Sequence, residues 1–248
     1  DGLQENGYAV HLANPSAIKQ YEGLKHTDDQ WDSFWLAHMY RLGILPEGYI
    51  YPKAHRAVRD LLRRRLLFVR QRTAHILSLQ SMISRNLGLK MSNNEIKKLK
   101  LEDAEDLFNC SNLAFMAHNN IAAIEFLRKI ILEIEKKVKS QVKMRKEFSM
   151  LLTIPGIGNI LGLTIRLEVG DIGRFPKVGD YSSYCRCVDS NRISNGKKKG
   201  ENNKKNGNKY LSWAYVEAAQ FARRYCVKAQ SFYQSKAAKT KPVVATKA

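Results

Sequence analysis

The sequence predicts a mainly α-helical fold with a partial α/β element near its start. Two long segments carry apolar residues at alternating spacings of three and four, which is the periodicity of a helix that buries one face. Residues 8–13 alternate between apolar and other side chains and predict a short β-strand after a helix-like segment at 1–6. One strand of this length cannot form a sheet alone, so we expect the α/β element to be incomplete.

The next helix is predicted to begin at Thr27 or Asp28, which are favoured N-cap residues, and to end near Leu42. Asp29 and Asp32 are three positions apart, so they share one helix face and can ligate the same pair of cations. Carboxylates in a first turn also favour the helix dipole, so a metal site and a capping pattern both fit this spacing. The apolar side is predicted to comprise Phe34, Leu36, Ala37, Met39 and Tyr40.

The middle of the chain is predicted to be two long helices with a polar, partly helical connector at 89–114. The apolar positions of the first helix are Val58, Leu62, Leu66, Val69, Thr73, Ile76, Gln80, Ile83 and Leu87, and those of the second are Ile124, Leu127, Ile131, Ile134 and Val138. An antiparallel hairpin within one chain and a coiled coil between two copies both fit these positions. The arginines at 56, 59, 63, 64, 65, 70 and 72 either follow a phosphate backbone or form a solvated helix face.

A turn followed by an apolar helix begins at Pro155-Gly156-Ile157-Gly158. This pattern resembles a helix-hairpin-helix element, in which Gly156 and Gly158 would let backbone amides at a helix N-terminus approach a DNA phosphate. A short helix is predicted near 178–186 and a long final helix at 209–235, with Leu211, Tyr215, Ala218, Ala219 and Ala222 on its apolar side. The lysine-rich tail at 236–248 is predicted to be disordered.

Between these helices lies a basic loop with a serine at its centre, Ser194. Asn and Gly residues around it favour turns, and the loop contains one acidic residue, Glu201. A hydroxyl among cations is suited to attack a phosphodiester, because cations stabilise the charge that develops on the phosphate. A solvated loop with an incidental serine fits equally well. The candidate nucleic-acid-binding side chains are Arg192, Lys197, Lys198, Lys199, Lys204, Lys205 and Lys209.

The composition of the chain favours a polyanionic partner. There are 42 Lys and Arg residues against 23 Asp and Glu residues, which gives a formal net charge of +19. Nucleic acid is therefore the first candidate partner. A membrane is a weaker candidate, because no run approaches the roughly 18 to 20 apolar residues of a spanning helix. The four cysteines fit neither a zinc site nor a disulfide framework, so they are predicted to be reduced thiols in a cytoplasmic protein.

These motifs, in this order, resemble the insertion-sequence transposases typified by elements 110, 116 and 902. The resemblance extends over nearly the whole chain. Its specific parts are His11-Leu12-Ala13-Asn14-Pro15, the Asp29-x-x-Asp32 helix start, Gly48-Tyr49-Ile50-Tyr51-Pro52, Arg59-Asp60-Leu61-Leu62-Arg63, Pro155-Gly156-Ile157-Gly158 and Ser194-Asn195-Gly196-Lys197-Lys198-Lys199-Gly200.

The resemblance implies a two-part active site. Such transposases pair a RuvC-like, RNase H-like domain, whose Asp-Glu-Asp-Asp set holds Mg²⁺, with a C-terminal domain whose serine becomes covalently joined to DNA. Asp29 and Asp32 match the last two carboxylates of that set, and Ser194 matches the serine. The resemblance also implies a structured guide RNA, element-end and target DNA, a homo-oligomer, and a bacterial or archaeal cytoplasm near the nucleoid.

The first Asp and the Glu of that set have no counterpart here, since the family places them upstream of residue 1. We therefore expect an N-terminally truncated transposase that is inactive alone. The expected domains are a C-terminal RuvC-like part at 1–53, a coiled-coil linker at 54–148, a transposase domain at 149–235 and the tail at 236–248. Two other interpretations fit the sequence: a non-catalytic DNA- or RNA-binding remnant, and a helical interaction protein whose charge only confers solubility.

Overall fold

The computed structural model describes residues 1–18, 28–141, 146–188, 191–201 and 206–247. Within this part of the chain the fold is mainly α-helical, as predicted, and the sheet is a two-stranded hairpin. The elements in order are α1 (Gly2–Glu5), α2 (Pro15–Ile18), α3 (Asp29–Arg41), α4 (Lys53–Leu87), α5 (Asn93–Ile96), α6 (Asp103–Leu107), α7 (Ser111–Gln141), α8 (Lys146–Leu152), α9 (Asn159–Val169), a 3-10 helix (Ile172–Arg174), α10 (Val178–Tyr184), β1 (Asn191–Ser194), β2 (Lys197–Glu201), α11 (Lys209–Tyr225), α12 (Val227–Ala237) and α13 (Pro242–Lys247).

The chain divides into two compact units, and each combines two separated segments. The first unit contains residues 1–56 and 170–209, and the second contains residues 57–169 and 210–248. The predicted domains, in contrast, are consecutive segments of the chain. The limits given for them stay a prediction. Both units draw on the segment 149–235, in which the transposase domain was expected.

The predicted strand at 8–13 is wrong, because its pairing in the first unit is limited to one bridge between Ala13 and Glu47. The amide of Gly48 donates to the carbonyl of Leu12 at 2.6 Å. Pro46, which accepts from the amide of Asn14 at 2.8 Å, lacks an N–H of its own and cannot donate to a ladder. The alternation at 8–13 therefore belongs to an extended segment whose end is hydrogen-bonded to Pro46 and Gly48.

Helix α3 begins as predicted, because the side chain of Asp28 accepts a hydrogen bond from the amide of Trp31 at 2.8 Å. This bond satisfies one of the orphan amides of the first turn. The predicted apolar side of α3 is only partly correct. Met39 is fully buried, whereas Phe34 and Tyr40 are exposed.

The second unit is built on an antiparallel hairpin of α4 and α7 within one chain. Arg65 donates to Glu135 at 2.8 Å, and farther along α4 the ring of His75 bonds Asn120 at 3.1 Å. The contacts on α7 thus run backward as those on α4 run forward. Of the two arrangements that fit the sequence, the chain adopts the hairpin.

The predicted seam of α7 is confirmed at every position, since all five of its apolar residues are buried. The seam of α4 is only partly correct, because Thr73 and Leu87 are exposed while Leu79 and Met82 are buried. The connector explains the difference. Ile96, Ala104 and Phe108 pack in the same core cluster as the end of α4, so α4 buries a wider face there than a two-helix seam requires.

The C-terminal region departs from its prediction in two places. The expected helix at 209–235 is broken at Cys226, which adopts extended angles (φ −121°, ψ 115°) between α11 and α12. The tail is not disordered throughout, because α13 forms with Pro242 at its first position and Ala245 buried. Proline suits the first helical position because its fixed φ is already helical and its missing N–H needs no partner there.

The hairpin core predicts a large loss of stability for one substitution on α7 and almost none for its neighbour. Ile131 is 3% exposed and Leu132 is 54% exposed. Ile131→Asp should lower the free energy of unfolding by about 3 kcal/mol or more, because it buries an unpaired charge, whereas Leu132→Asp should change it by about 0.5 kcal/mol or less. Urea denaturation followed by helical circular dichroism measures both. Equal effects would mean that the buried face of α7 is misassigned.

Candidate nucleic-acid interface

Ser194 is the last residue of β1 and lies beside a tight turn. Asn195 and Gly196 form the two-residue connection to β2, and both have positive φ angles, 52° and 69°. Positive φ at both central residues is the signature of a type I′ turn, whose twist matches that of the flanking strands. The Asn-Gly pair was the available sequence signal for this hairpin. Sequence reasoning used it only as evidence that the loop contains turns.

The basic strand β2 contains a bulge. Ser194 pairs with Lys197 and Ile193 with Lys198, but Arg192 pairs with Gly200, so Lys199 is the extra residue. A bulge increases local twist and redirects side chains. Lys197 and Lys199 are both exposed. Two lysines next to the serine position are therefore available to an anion.

The base of the hairpin is held by Arg186, a residue that sequence reasoning missed. Its guanidinium donates to the carbonyls of Asn206 and Gly207, at 2.9 Å each. The amide of Asn208 also donates to the carbonyl of Tyr184 at 2.6 Å. Gly207 has a φ of +86°, and a β-carbon there would lie 2.5 Å from the same Tyr184 carbonyl. The chain entering the hairpin and the chain leaving it are thus joined.

An aromatic cluster lies next to this base, in the same unit. The guanidinium of Arg174 lies 4.2 Å from the ring centroid of Tyr49, 4.3 Å from that of Phe175 and 4.5 Å from that of Tyr184. Arginine interacts favourably with ring faces at these distances. The cluster joins the Gly48–Pro52 motif to the segment after α9, two parts of the chain that the sequence gave no reason to pair.

The thiol of Cys185 is part of this packing rather than a second nucleophile. Burial raises the pKa of Cys185 to about 11, an effect partly offset by a hydrogen bond from Tyr181. A thiol with this pKa is protonated at neutral pH, and the thiolate is the reactive form. All four cysteines are free, as predicted.

Asp29 and Asp32 both lie in the first turn of α3 and are exposed. Among the described residues, no group of three or more His, Cys, Asp or Glu side chains is arranged to hold a metal. Two carboxylates nevertheless fit Mg²⁺, which commonly takes one or two carboxylates together with substrate phosphates and water. The described side chains provide no hydrogen bond or ion pair between this turn and the β1–β2 hairpin. The metal site and the serine site therefore stay separate predictions.

The two glycines of the predicted helix-hairpin-helix differ in their surroundings. Gly156 has a φ of +89°, and a β-carbon there would overlap the carbonyl oxygen of Ala218 and lie 2.7 Å from the amide of Ala222. It therefore allows the turn to pack on the backbone of α11. A β-carbon on Gly158 would meet nothing within 4 Å, and its carbonyl accepts from Gly162 at 2.9 Å as α9 begins. Of the two, Gly158 has the open surroundings that contact with a phosphate requires.

Several predicted basic contacts are engaged within the protein. Arg56 bonds Asp1 at 2.6 Å, and the pairs Arg63–Glu168 and Arg65–Glu135 occupy two more arginines. Arg64 and Arg70 are exposed, and so is Lys209 at the start of α11. The described part of the structure excludes Thr27, Lys204 and Lys205, as well as the side chains of Arg192, Ser194 and Lys198.

The glycine geometry predicts a contrast between two matched variants. Gly156→Ala should lower the melting temperature because its β-carbon collides with backbone, which cannot move as a side chain end can. Gly158→Ala should leave it nearly unchanged. Thermal unfolding by differential scanning calorimetry measures both. A Gly156→Ala protein as stable as the wild type would show that the turn does not pack closely on α11.

Residues 149–234 match the family model described as Transposase IS116/IS110/IS902 family. The matched segment includes Ser194, Gly156, Gly158 and the candidate binding residues from Arg192 to Lys209. It excludes Asp29, Asp32 and the arginines at 56–72. A search of the curated proteins found no match to this chain. Among the described helices, none has the length and apolar character needed to cross a membrane. The match supports an insertion-sequence transposase at the level of the family.

Proposed function

We propose that the chain cleaves and rejoins DNA strands as part of an insertion-sequence transposase, with Ser194 as the nucleophile. One observation carries the proposal: Ser194 lies at the turn of a basic β-hairpin, inside the segment that matches the transposase family. The exposed Lys197 and Lys199 follow directly on β2. The turn residues Asn195 and Gly196 are also exposed, so a polymer can reach this end of the hairpin.

The chemistry proposed for Ser194 is an exchange of phosphoesters. The hydroxyl oxygen attacks a DNA phosphorus, a serine–phosphate ester forms, and the bond from phosphorus to a deoxyribose oxygen breaks. The serine proton is lost, and the departing oxygen gains a proton to become a hydroxyl. Reversal of the exchange by another DNA hydroxyl rejoins strands. The lysines stabilise the additional negative charge on the phosphate during the attack.

We further propose Asp29 and Asp32 as ligands for Mg²⁺. Their oxygens are the donor type that Mg²⁺ prefers, and their place in the first turn of α3 puts both on one helix face. When bound, the ion would neutralise phosphate charge and favour loss of the serine proton. Asp28 is reserved for capping the helix, so it is not assigned to the metal.

The partners that follow from this proposal are nucleic acids and other copies of the chain. A transposase of the matched family acts on DNA, here element ends and target. A structured guide RNA and a homo-oligomer are proposed from the family resemblance alone. The net charge of +19 supports attraction to either nucleic acid.

The proposal predicts a strong salt dependence of DNA binding that involves β2. If roughly six to ten phosphates are contacted, affinity should fall by about three to five decades between roughly 50 and 200 mM salt. Replacing Lys197, Lys198 and Lys199 together with Ala should reduce the slope of log affinity against log salt by about three. Fluorescence anisotropy with a labelled duplex measures the slope. An unchanged slope would remove β2 from the DNA path, and a flat response would favour the helical interaction protein.

The nucleophile is tested in a protein that also carries the upstream half of a relative, since the family places two further carboxylates there. Ser194→Ala should abolish the covalent protein–DNA product while DNA binding stays near normal, because the hydroxyl makes a bond and contributes little to docking. Asp29→Asn and Asp32→Asn should also reduce the product, and added Mn²⁺ should partly restore it. Mass spectrometry of the trapped adduct identifies the attached residue.

The matched control is Ser183→Ala, which removes an exposed hydroxyl on α10 in the same unit. It should form the product at the wild-type level. Attachment of DNA to any residue other than Ser194 would make the assignment wrong. DNA binding without any covalent product would favour the non-catalytic remnant.

A further inference from the structure

One ion pair crosses the α4–α7 hairpin, and the positions one heptad away from it on both helices are arginines. Arg65 on α4 meets Glu135 on α7, with a guanidinium nitrogen 2.7 Å from a carboxylate oxygen. Seven residues farther along α4 is Arg72, and seven residues back along α7 is Arg128. Because the helices are antiparallel, these two steps lead to the same level of the hairpin. The first pair is oppositely charged, and the second pair is positive on both sides.

Arg72 has an unsatisfied hydrogen-bond donor at this position. Its Nε is buried and has no hydrogen-bond partner in the described part of the structure. Burial lowers the pKa of Arg72, and the charge of Arg65 lowers it further. The charge of Glu135 opposes this shift, and the charge of Arg128 adds the smallest lowering effect. The described residues include no ion pair for Arg72 or Arg128. The guanidinium groups of Arg65, Arg72 and Arg128 thus lie near one carboxylate, that of Glu135, and this carboxylate already binds Arg65.

This arrangement is poorly explained as a means of stabilising the hairpin. Like charges at facing positions repel, and a buried donor without a partner costs free energy. A glutamate at position 128 would repeat the Arg65–Glu135 pair and remove both costs. An anion between Arg72 and Arg128 would remove them as well. A phosphate group fits this position, since its oxygens accept hydrogen bonds from the planar guanidinium fork.

We propose that Arg65, Arg72 and Arg128 form a binding site for one phosphate group. The site goes beyond the function proposed above, because its residues lie outside the matched segment 149–234 and belong to a different compact unit from Ser194. The phosphate is either a phosphodiester of a bound nucleic-acid strand or free inorganic phosphate. Arg72 and Arg128 bind it directly, and Arg65 keeps the carboxylate of Glu135 away from it.

The test is charge reversal at the exposed member, Arg128→Glu. The control is Lys137→Glu, which makes the same charge change at an exposed position of α7. Thermal unfolding of wild type and both variants is followed in inorganic phosphate and in chloride at matched ionic strength. Phosphate should raise the melting temperature of the wild type and of Lys137→Glu, because a ligand that binds only the folded state stabilises it. Arg128→Glu should show no such rise.

The melting temperatures in chloride are a second test, which distinguishes the loss of this site from a general loss of positive charge. In chloride, Arg128→Glu should melt above the wild type, because Arg72 then gains a carboxylate partner. Equal responses of all three proteins to phosphate would overturn the proposal. A melting temperature for Arg128→Glu below that of the wild type in chloride would also overturn it, since the two guanidinium groups would then not repel.

The source of the phosphate is decided with labelled duplex DNA and RNA. If the site takes a phosphodiester, Arg128→Glu should reduce the slope of log affinity against log salt by about one more than Lys137→Glu does. Equal slopes together with the phosphate response would assign the site to free phosphate. Neither result depends on a covalent DNA product, so failure of the serine mechanism and failure of this site are distinguishable.

Discussion

The second unit depends on one ion pair, between Arg63 on α4 and Glu168 on α9. Two guanidinium nitrogens of Arg63 donate to the two oxygens of Glu168, at 2.6 and 2.7 Å, and the ring of Tyr210 lies 4.5 Å from the guanidinium carbon. Its bond to Glu168 raises the pKa of Arg63. Glu168 is buried, so the charge of its carboxylate is balanced by the guanidinium of Arg63 rather than by water. This pair fixes α9 against α4.

The position of α9 in turn fixes the turn that precedes it. Helix α9 is buried at nearly every position from Leu161 to Val169, so it can neither slide nor rotate without exposing apolar surface. At its start, Gly156 packs on the backbone of α11 while Gly158 stays open. The ion pair therefore positions α9, and the packing of α9 and of Gly156 positions the turn between them. Together they hold the amides at the start of α9 in place.

Local periodicity predicted the helices, and long-range partners decided what it missed. The positions Ile124 to Val138 were all correct because they form one face of α7, although α8 and α9 as well as α4 contribute to the core cluster at Ile134 and Val138. Asp28 was correct because capping is a local interaction. The partner of Arg63 lies 105 residues away, and no spacing rule connects the two. The candidate site was predicted as residues, but not as a hairpin with a base held by Arg186.

Arg186 joins the two chain segments at the base of the hairpin. Its φ of 56° is a left-handed conformation, which costs a residue with a β-carbon roughly 1 to 3 kcal/mol. The same residue donates to two carbonyls on the far side of the hairpin, and these bonds are made from that strained backbone. Strain of this kind persists only where surrounding contacts determine it. Residues 184–186 and 206–208 are therefore fixed relative to each other by contacts between segments about 20 positions apart, which no local spacing rule predicts.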